Sequence, residues 1–226
     1  DAARAYCLGG VLPCYDFCPS AISSPLPLIE PAIAPLVALL AKECTEKQKE
    51  YAVSALHSLA ANPPNIYNPR DQSIVDKIVA AGGIPPLVAL ARDGATPQTK
   101  EDAAGTLHCC ANKHAHRSQI IAAGGAEALL ALARDGTDPQ KEHAAMAIGF
   151  ACFNHVANRS TITKAGGVAI LQRLARDGTV MQKSAANYAL RNVTVPPPTM
   201  EEELARLMAA DEGGGKKKGG GKKKKK

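Results

Sequence analysis

Residues 78–94 read "IVAAGGIPPLVALARDG", an apolar run interrupted by two glycines and a proline pair and closed by Arg92, Asp93 and Gly94. The phrase returns as "IIAAGGAEALLALARDG" at 120–136 and as "ITKAGGVAILQRLARDG" at 162–178. Gly82, Gly124 and Gly166 therefore stand 42 residues apart, as do Gly94, Gly136 and Gly178. A period of that length marks a repeat array, in which each unit buries its apolar face only against its neighbours.

Within one unit, Ser118 to Asn154, a short apolar stretch "SQIIAA" ends at Gly124-Gly125 and a second, "AEALLALAR", ends at Gly136. Each glycine offers the left-handed conformation that closes a helix. After "RDGTDPQ" comes "KEHAAMAIGFACFN", where Ala144, Ile148 and Ala151 keep the i, i+4, i+7 spacing of an amphipathic helix. The unit is thus predicted to hold one short helix and two longer ones. Pro85 and Pro86 fall in the first turn of a second helix, where a missing N–H costs nothing. Leu107 is expected to face inward. A further unit starting near Ala32 aligns with the next at an offset of 51, and the nine surplus residues fall in "NPPNIYNPRDQ", which reads as a surface loop.

Composition agrees with this reading. The chain has 226 residues and is 46% hydrophobic, yet it holds no Trp, three Phe and five Tyr. A core built from Ala, Leu, Ile and Val with so few aromatics suits closely packed helices. The net charge of +6 comes from the final segment "GGGKKKGGGKKKKK": setting its eight Lys aside leaves 19 of the 27 basic residues against 21 acidic ones, a net of −2. The folded body therefore carries no general signal for nucleic acid. Seven Cys, an odd number with Cys109 and Cys110 adjacent, suit reduced thiols in the cytoplasm or nucleus better than a disulfide framework. No signal peptide or membrane-length apolar run is present. Asn158-Arg159-Ser160 and Asn192-Val193-Thr194 match the glycosylation acceptor pattern by chance.

A 42-residue unit of one short and two longer helices, with "AGG" before the second helix and "AAxAL" in the third, resembles the armadillo repeat. The likeness covers roughly residues 31–195 and rests on the glycine pairs, on "PLVAL" at 35–39 and 86–90, on "ARDG" three times and on "SAANYALRNV" at 184–193. It implies an all-α, right-handed α-solenoid of about four three-helix repeats, whose third helices line a concave groove that holds an extended peptide segment of a partner protein. In family members that bind basic import signals, the third helix carries a Trp and, four residues later, an Asn. Laid onto this chain, that pair falls on Ser54 and Ser58, Gly105 and Cys109, Met146 and Phe150, Tyr188 and Asn192. Only Asn192 matches the Asn, and no position carries Trp. One turn earlier stand Glu50, Glu101, Glu142 and Ser184. The three glutamates either favour a cationic partner or form ion pairs with Lys49, Lys100 and Lys141, while Met146, Phe150 and Tyr188 offer apolar contact.

Other candidates are weaker. In "HCCANKHAH", His108, Cys109, Cys110, His114 and His116 are of zinc-binding type, but adjacent helical residues point about 100° apart and cannot readily share one ion. Cys110 packing between repeats, with the histidines in an exposed loop, is the expected arrangement, and no metal or other cofactor is predicted. Cys7, Cys14 and Cys18 carry still less. No nucleophile elbow, phosphate loop, dinucleotide fingerprint or H-E-x-x-H occurs, so no catalytic residue is assigned.

At the ends, residues 1–30 read as the remnant of a preceding repeat, "AARAYCL", and an irregular linker. "VPPPTMEEELARLMAADE", with Thr199 and Glu202 in capping-box spacing, predicts a short helix within 196–212 that covers the last repeat. Residues 213–226 are expected to be disordered. Their lysines read as a nuclear import signal, as a non-specific handle for nucleic acid or acidic lipid, or as a solvated extension. The expected function is that of a protein-interaction scaffold. The alternative is a nucleic-acid or acidic-membrane adaptor working through the tail.

Overall fold

The repeat corner is built by a pair of glycines with two different tasks. Gly82, Gly124 and Gly166 adopt φ of +77°, +84° and +78°, a left-handed turn that glycine enters without steric cost. The glycine after each has no room for a side chain: a Cβ would stand 2.7 Å from Ile78 at Gly83, 2.5 Å from the Ile120 carbonyl at Gly125, and 2.6 Å from Ile162 at Gly167. The chain is thereby bent by 88° between the helices flanking Gly82 and Gly83.

The computed structural model describes residues 30–41, 44–61 and 73–194. Eleven helices and no strand occur among them. They are α1 (Glu30–Ala41), α2 (Glu46–Ala61), α3 (Ser73–Ala80), α4 (Ile84–Asp93), α5 (Pro97–Ala111), α6 (His114–Ala122), α7 (Gly125–Asp135), α8 (Asp138–Cys152), α9 (Val156–Lys164), α10 (Gly167–Asp177) and α11 (Val180–Thr194). After the pair α1–α2, the order short, medium, long repeats three times. Of the remnant and linker expected at 1–30, Glu30 instead opens α1; residues 1–29, the loop at 62–72, the terminal helix sought in 196–212 and the tail at 213–226 lie outside the described residues.

Equivalent positions are sealed from one unit to the next. Ile78, Ile120 and Ile162 of the short helices, Leu87, Leu129 and Leu171 of the medium ones, and Leu56, Leu107 and Ile148 of the long ones are all fully buried. Each such side chain contributes roughly 1.5–3 kcal/mol by leaving water. Alanines at 103, 104, 144, 145, 185 and 186 are buried as well, and their small volume lets α2, α5, α8 and α11 lie directly side by side. Ala144, Ile148 and Ala151 are the buried stripe that the helical spacing predicts.

The closing glycines Gly94, Gly136 and Gly178 depart from expectation. Their φ values are −51°, −70° and −74°, which any residue adopts. Glycine is required by proximity instead, because a Cβ at each would lie 2.5 Å from the carbonyl oxygen of Leu90, Leu132 or Leu174.

Two further side-chain types lock neighbouring repeats. Gln140 accepts the Thr137 N–H at its own helix start (3.1 Å) and donates to the Pro97 carbonyl of the preceding long helix (2.7 Å). Gln182 repeats this with the Thr179 N–H (3.0 Å) and the Asp138 carbonyl (3.1 Å). Arg117, buried, donates to the carbonyls of Ala111 (2.9 Å) and Asn112 (3.0 Å) at the end of α5 and to Phe153 (2.8 Å) at the end of α8. Arg159, 42 residues on, donates to Cys152 (3.0 Å). These groups satisfy carbonyls that helix ends leave without partners. Asn158 is spent in the same way on the Ala151 carbonyl (2.8 Å). No single described helix is long and apolar enough to cross a membrane.

Candidate functional site

The four long helices present one row of side chains, and on it lies a continuous chain of rings. His57 of α2 meets His143 of α8 edge-on with centroids 5.5 Å apart; His143 lies 6.0 Å from His108 of α5; His108 stacks on Phe150 of α8 at 5.4 Å; and Phe150 meets Tyr188 of α11 at 5.1 Å. Glycine makes this possible twice. A Cβ at Gly105 would stand 2.4 Å from His57 Nε2, so the imidazole of α2 crosses the bare backbone of α5 to reach α8. A Cβ at Gly149 would stand 2.6 Å from the Tyr188 ring.

Electrostatics are set by one buried carboxylate. Asp102 Oδ1 lies 3.0 Å from His57 Nδ1 and accepts from Gln98 Nε2 at 3.2 Å, whereas its buried Oδ2 has no partner. A carboxylate facing Nδ1 makes that nitrogen the N–H donor. Burial, with His143 and His57 adding to it, pushes His108 down to about 4. Burial likewise lowers His143, His57 adding to the effect and Asp102 opposing it. The Tyr188 phenol is raised by burial. Near neutral pH the row is therefore aromatic and largely uncharged at His108 and His143.

The residues singled out in the sequence take distinct places around this row. Glu50, half-buried, accepts the Thr96 hydroxyl at 2.8 Å, which ties it to the next repeat. Glu101 and Glu142 are half-buried one helical turn before Gly105 and Met146. Ser54 and Ser58 are half-buried on α2. Gly105 is covered by the His57 ring. Cys109, Met146 and Phe150 are partly buried against the core, and burial raises the Cys109 thiol to about 11, which leaves it a protonated, inert side chain. Ser184 is exposed and Tyr188 half-buried on α11, where the enclosed Asn192 side chain lies one turn on and acts against the effect of burial on the Tyr188 phenol. Of the lysines expected to neutralise the glutamates, Lys49 pairs with Glu46 at 3.0 Å.

The segment "HCCANKHAH" is dispersed by the fold. His108 joins the ring row, Cys110 enters the core, and His114 is exposed at the start of α6 with its ring 6.2 Å from that of His155. His116 corrects the expectation of an exposed loop: it is buried, and its Nε2 lies 2.8 Å from Asp76 Oδ1. Burial acts to raise Asp76, but hydrogen bonds from Lys113 and His116 outweigh it and lower the carboxyl below its usual range.

His57, His108, His143 and Asp102 form the ring row and its carboxylate, which the sequence pattern does not single out. A signal existed, since the alignment at offset 51 lays His57 over His108. What no spacing reveals is that a side chain crosses a whole helix, because that depends on the glycine beneath it.

No family model and no curated protein matches the chain. Solved structures do. A crystal structure of computationally designed armadillo repeat proteins for modular peptide recognition is similar at TM-score 0.68 and 23% identity, covering 85% of this chain and 79% of that one. The fold is an armadillo-type solenoid. A designed armadillo repeat protein in complex with the peptide (KR)4 is similar at TM-score 0.67 and 24% identity, with 85% and 79% covered. An engineered protein reaches 0.66 and 26%, with 76% and 68% covered. Within this armadillo frame, α2, α5, α8 and α11 are the third helices and the ring row runs across them.

Proposed function

We propose that the chain is a peptide-binding scaffold whose third helices receive an extended, cationic segment of a partner protein. The observation that carries this reading is the unbroken row from His57 to Tyr188. Its four links of 5.1 to 6.0 Å join all four long helices, so one extended segment laid across them meets a ring on each. Apolar faces for side-chain stems lie on the row, and Glu50, Glu101 and Glu142 flank it with negative charge. A Lys or Arg head over the Phe150 or Tyr188 face gains about 0.5–1 kcal/mol or more from the ring quadrupole. The designed armadillo proteins described for peptide recognition, one of them holding (KR)4, support this assignment by analogy of fold.

The test is calorimetric titration of the full chain at moderate salt with an alternating Lys–Arg octapeptide, with an octapeptide of Glu in the same positions, and with a single-stranded oligonucleotide. The scaffold reading expects saturable binding of the basic peptide alone. Exclusive binding of the oligonucleotide, lost on deleting residues 213–226, would replace it with the tail-driven adaptor.

A further inference from the structure

Three imidazoles at the centre of a surface meant for a cationic ligand are an unusual floor. His57, His143 and His108 lie in one chain of contacts of 5.5 and 6.0 Å, and the buried Asp102 beneath them keeps one oxygen without a partner. Neutral, the rings pack face and edge. Charged, they repel one another and oppose the same glutamates that would hold the ligand. We propose that the His57–His143–His108 cluster is a proton switch that expels the cationic segment from the groove on acidification, an inference that rests on the peptide-binding reading.

The charge balance sets the size of the effect. Glu50, Glu101, Asp102 and Glu142 supply four negative charges along the three helices α2, α5 and α8. Imidazolium groups at His143 and His108 would reduce that to two. The neighbours do not cancel the change. α2 brings His57 itself, with Glu50 two turns earlier on the same side; α5 brings Asp102, Glu101, Lys100 and His108; α8 brings Glu142 and Lys141 beside His143; and α11 brings Tyr188 through Phe150, with Lys183 and Arg191 its cations. Of the basic groups of α6, Arg117 is engaged on the carbonyls of α5 and α8, His116 lies on Asp76, and His114 is exposed beside His155. Asp102 touches His57 alone among the three rings, so a proton on His143 or His108 has no carboxylate in hydrogen-bond contact to absorb it.

Proton binding and peptide binding then exclude each other. A bound cation disfavours further charge on the rings, and by linkage a protonated cluster binds the cation less tightly. The lowered affinities of His108 and His143 for protons place the response on the acidic side of neutrality, with the groove in its receptive form at neutral pH.

The experiment uses the full chain and the alternating Lys–Arg octapeptide, whose own charge is constant between pH 7.5 and pH 5. Titration calorimetry is expected to show the Kd weakening by about twofold to threefold over that range, carried mainly by His143, since His108, held at about 4, takes up little proton by pH 5. In His108→Gln/His143→Gln the ratio of the two Kd values shrinks toward that produced by carboxylates alone, whatever the affinity at pH 7.5 becomes. The histidine C2-proton NMR signals of the unsubstituted chain provide the second measurement, and their midpoints are expected to move to lower pH when peptide is bound. Binding at pH 7.5 with a ratio unchanged by the double substitution and unmoved midpoints would overturn the switch while leaving the scaffold intact. Absence of binding at either pH would overturn both.

Discussion

The imidazole of His57 lies across the backbone of Gly105, one helix away, where a Cβ would stand 2.4 Å from its Nε2. The same relation recurs between Tyr188 and Gly149, but the two seats differ in what stands behind the ring. At Gly105 the obstacle is the far end of one side chain. At Gly149 a Cβ would also sit 3.1 Å from the Ala189 Cα, and a helix backbone cannot swing aside. Gly105→Ala is therefore expected to cost about 1 kcal/mol, the hydrogen bond between His57 and Asp102. Gly149→Ala is expected to cost more, about 2–3 kcal/mol, because α11 must be displaced from α8. Urea melts of the two variants check the order; a larger loss at Gly105 would mean that the ring row is held more rigidly than its contacts indicate.

The inter-repeat lock at Arg117 gives a second expectation. One guanidinium serves three carbonyls on two helices, a geometry that a single ammonium cannot reproduce. Arg117→Lys should lower stability by about 2 kcal/mol and Arg117→Gln by about 3 kcal/mol, leaving buried acceptors unpaired. Thermal melts with hydrogen exchange of α5 and α8 report it. Exchange limited to α6 would show that the bond to Phe153 contributes nothing to coupling between repeats.

Most of this architecture was legible because it is periodic. The 42-residue recurrence of Gly82, Gly124 and Gly166 fixes the corners, and Leu87, Leu129 and Leu171 fix the buried face. Leu107 is buried as its place in the third helix requires. Two kinds of information stayed hidden. Gly94 and its equivalents look like left-handed caps in sequence, yet they are glycines for want of space, which only the approach of the Leu90 carbonyl discloses. Columns of equivalent positions in the sequence single out Glu101, Met146 and Tyr188, whereas the contact of His57 with His143 crosses columns and skips a helix. His116 was misplaced because its partner Asp76 is 40 residues away on α3.

Acid sensitivity of folding follows from His108. Its imidazole is pushed down to about 4 in the folded chain, burial being the main cause, while an unfolded imidazole titrates near 6.5. Above pH 6.5 the group is neutral in both states and exacts no penalty. Between 6.5 and 4 the unfolded state holds more protons, so stability falls as pH falls, by roughly 2–3 kcal/mol across the window. Denaturant melts at pH 7.5, 5.5 and 4.5 should therefore show a shallower decline for His108→Gln than for the unsubstituted chain. Parallel declines would place the acid sensitivity elsewhere, Asp76 being the next group to examine because its lowered carboxyl is stabilising only while ionised.

The central claim is that the face of the third helices binds a cationic segment through Glu101 and Glu142, and charge reversal addresses it most directly. Glu101→Lys/Glu142→Lys changes two half-buried carboxylates beside the ring row, while Glu127→Lys changes an exposed one on α7, away from the third helices. The measurement is anisotropy titration of a labelled alternating Lys–Arg octapeptide against the three full-length proteins at pH 7.5 and moderate salt. The account predicts at least about a tenfold weakening for the double reversal, equal to about 1.4 kcal/mol, and an affinity within about twofold of the original for Glu127→Lys. Equal affinity in all three proteins, with each folded by circular dichroism, would contradict it and place the peptide on another surface.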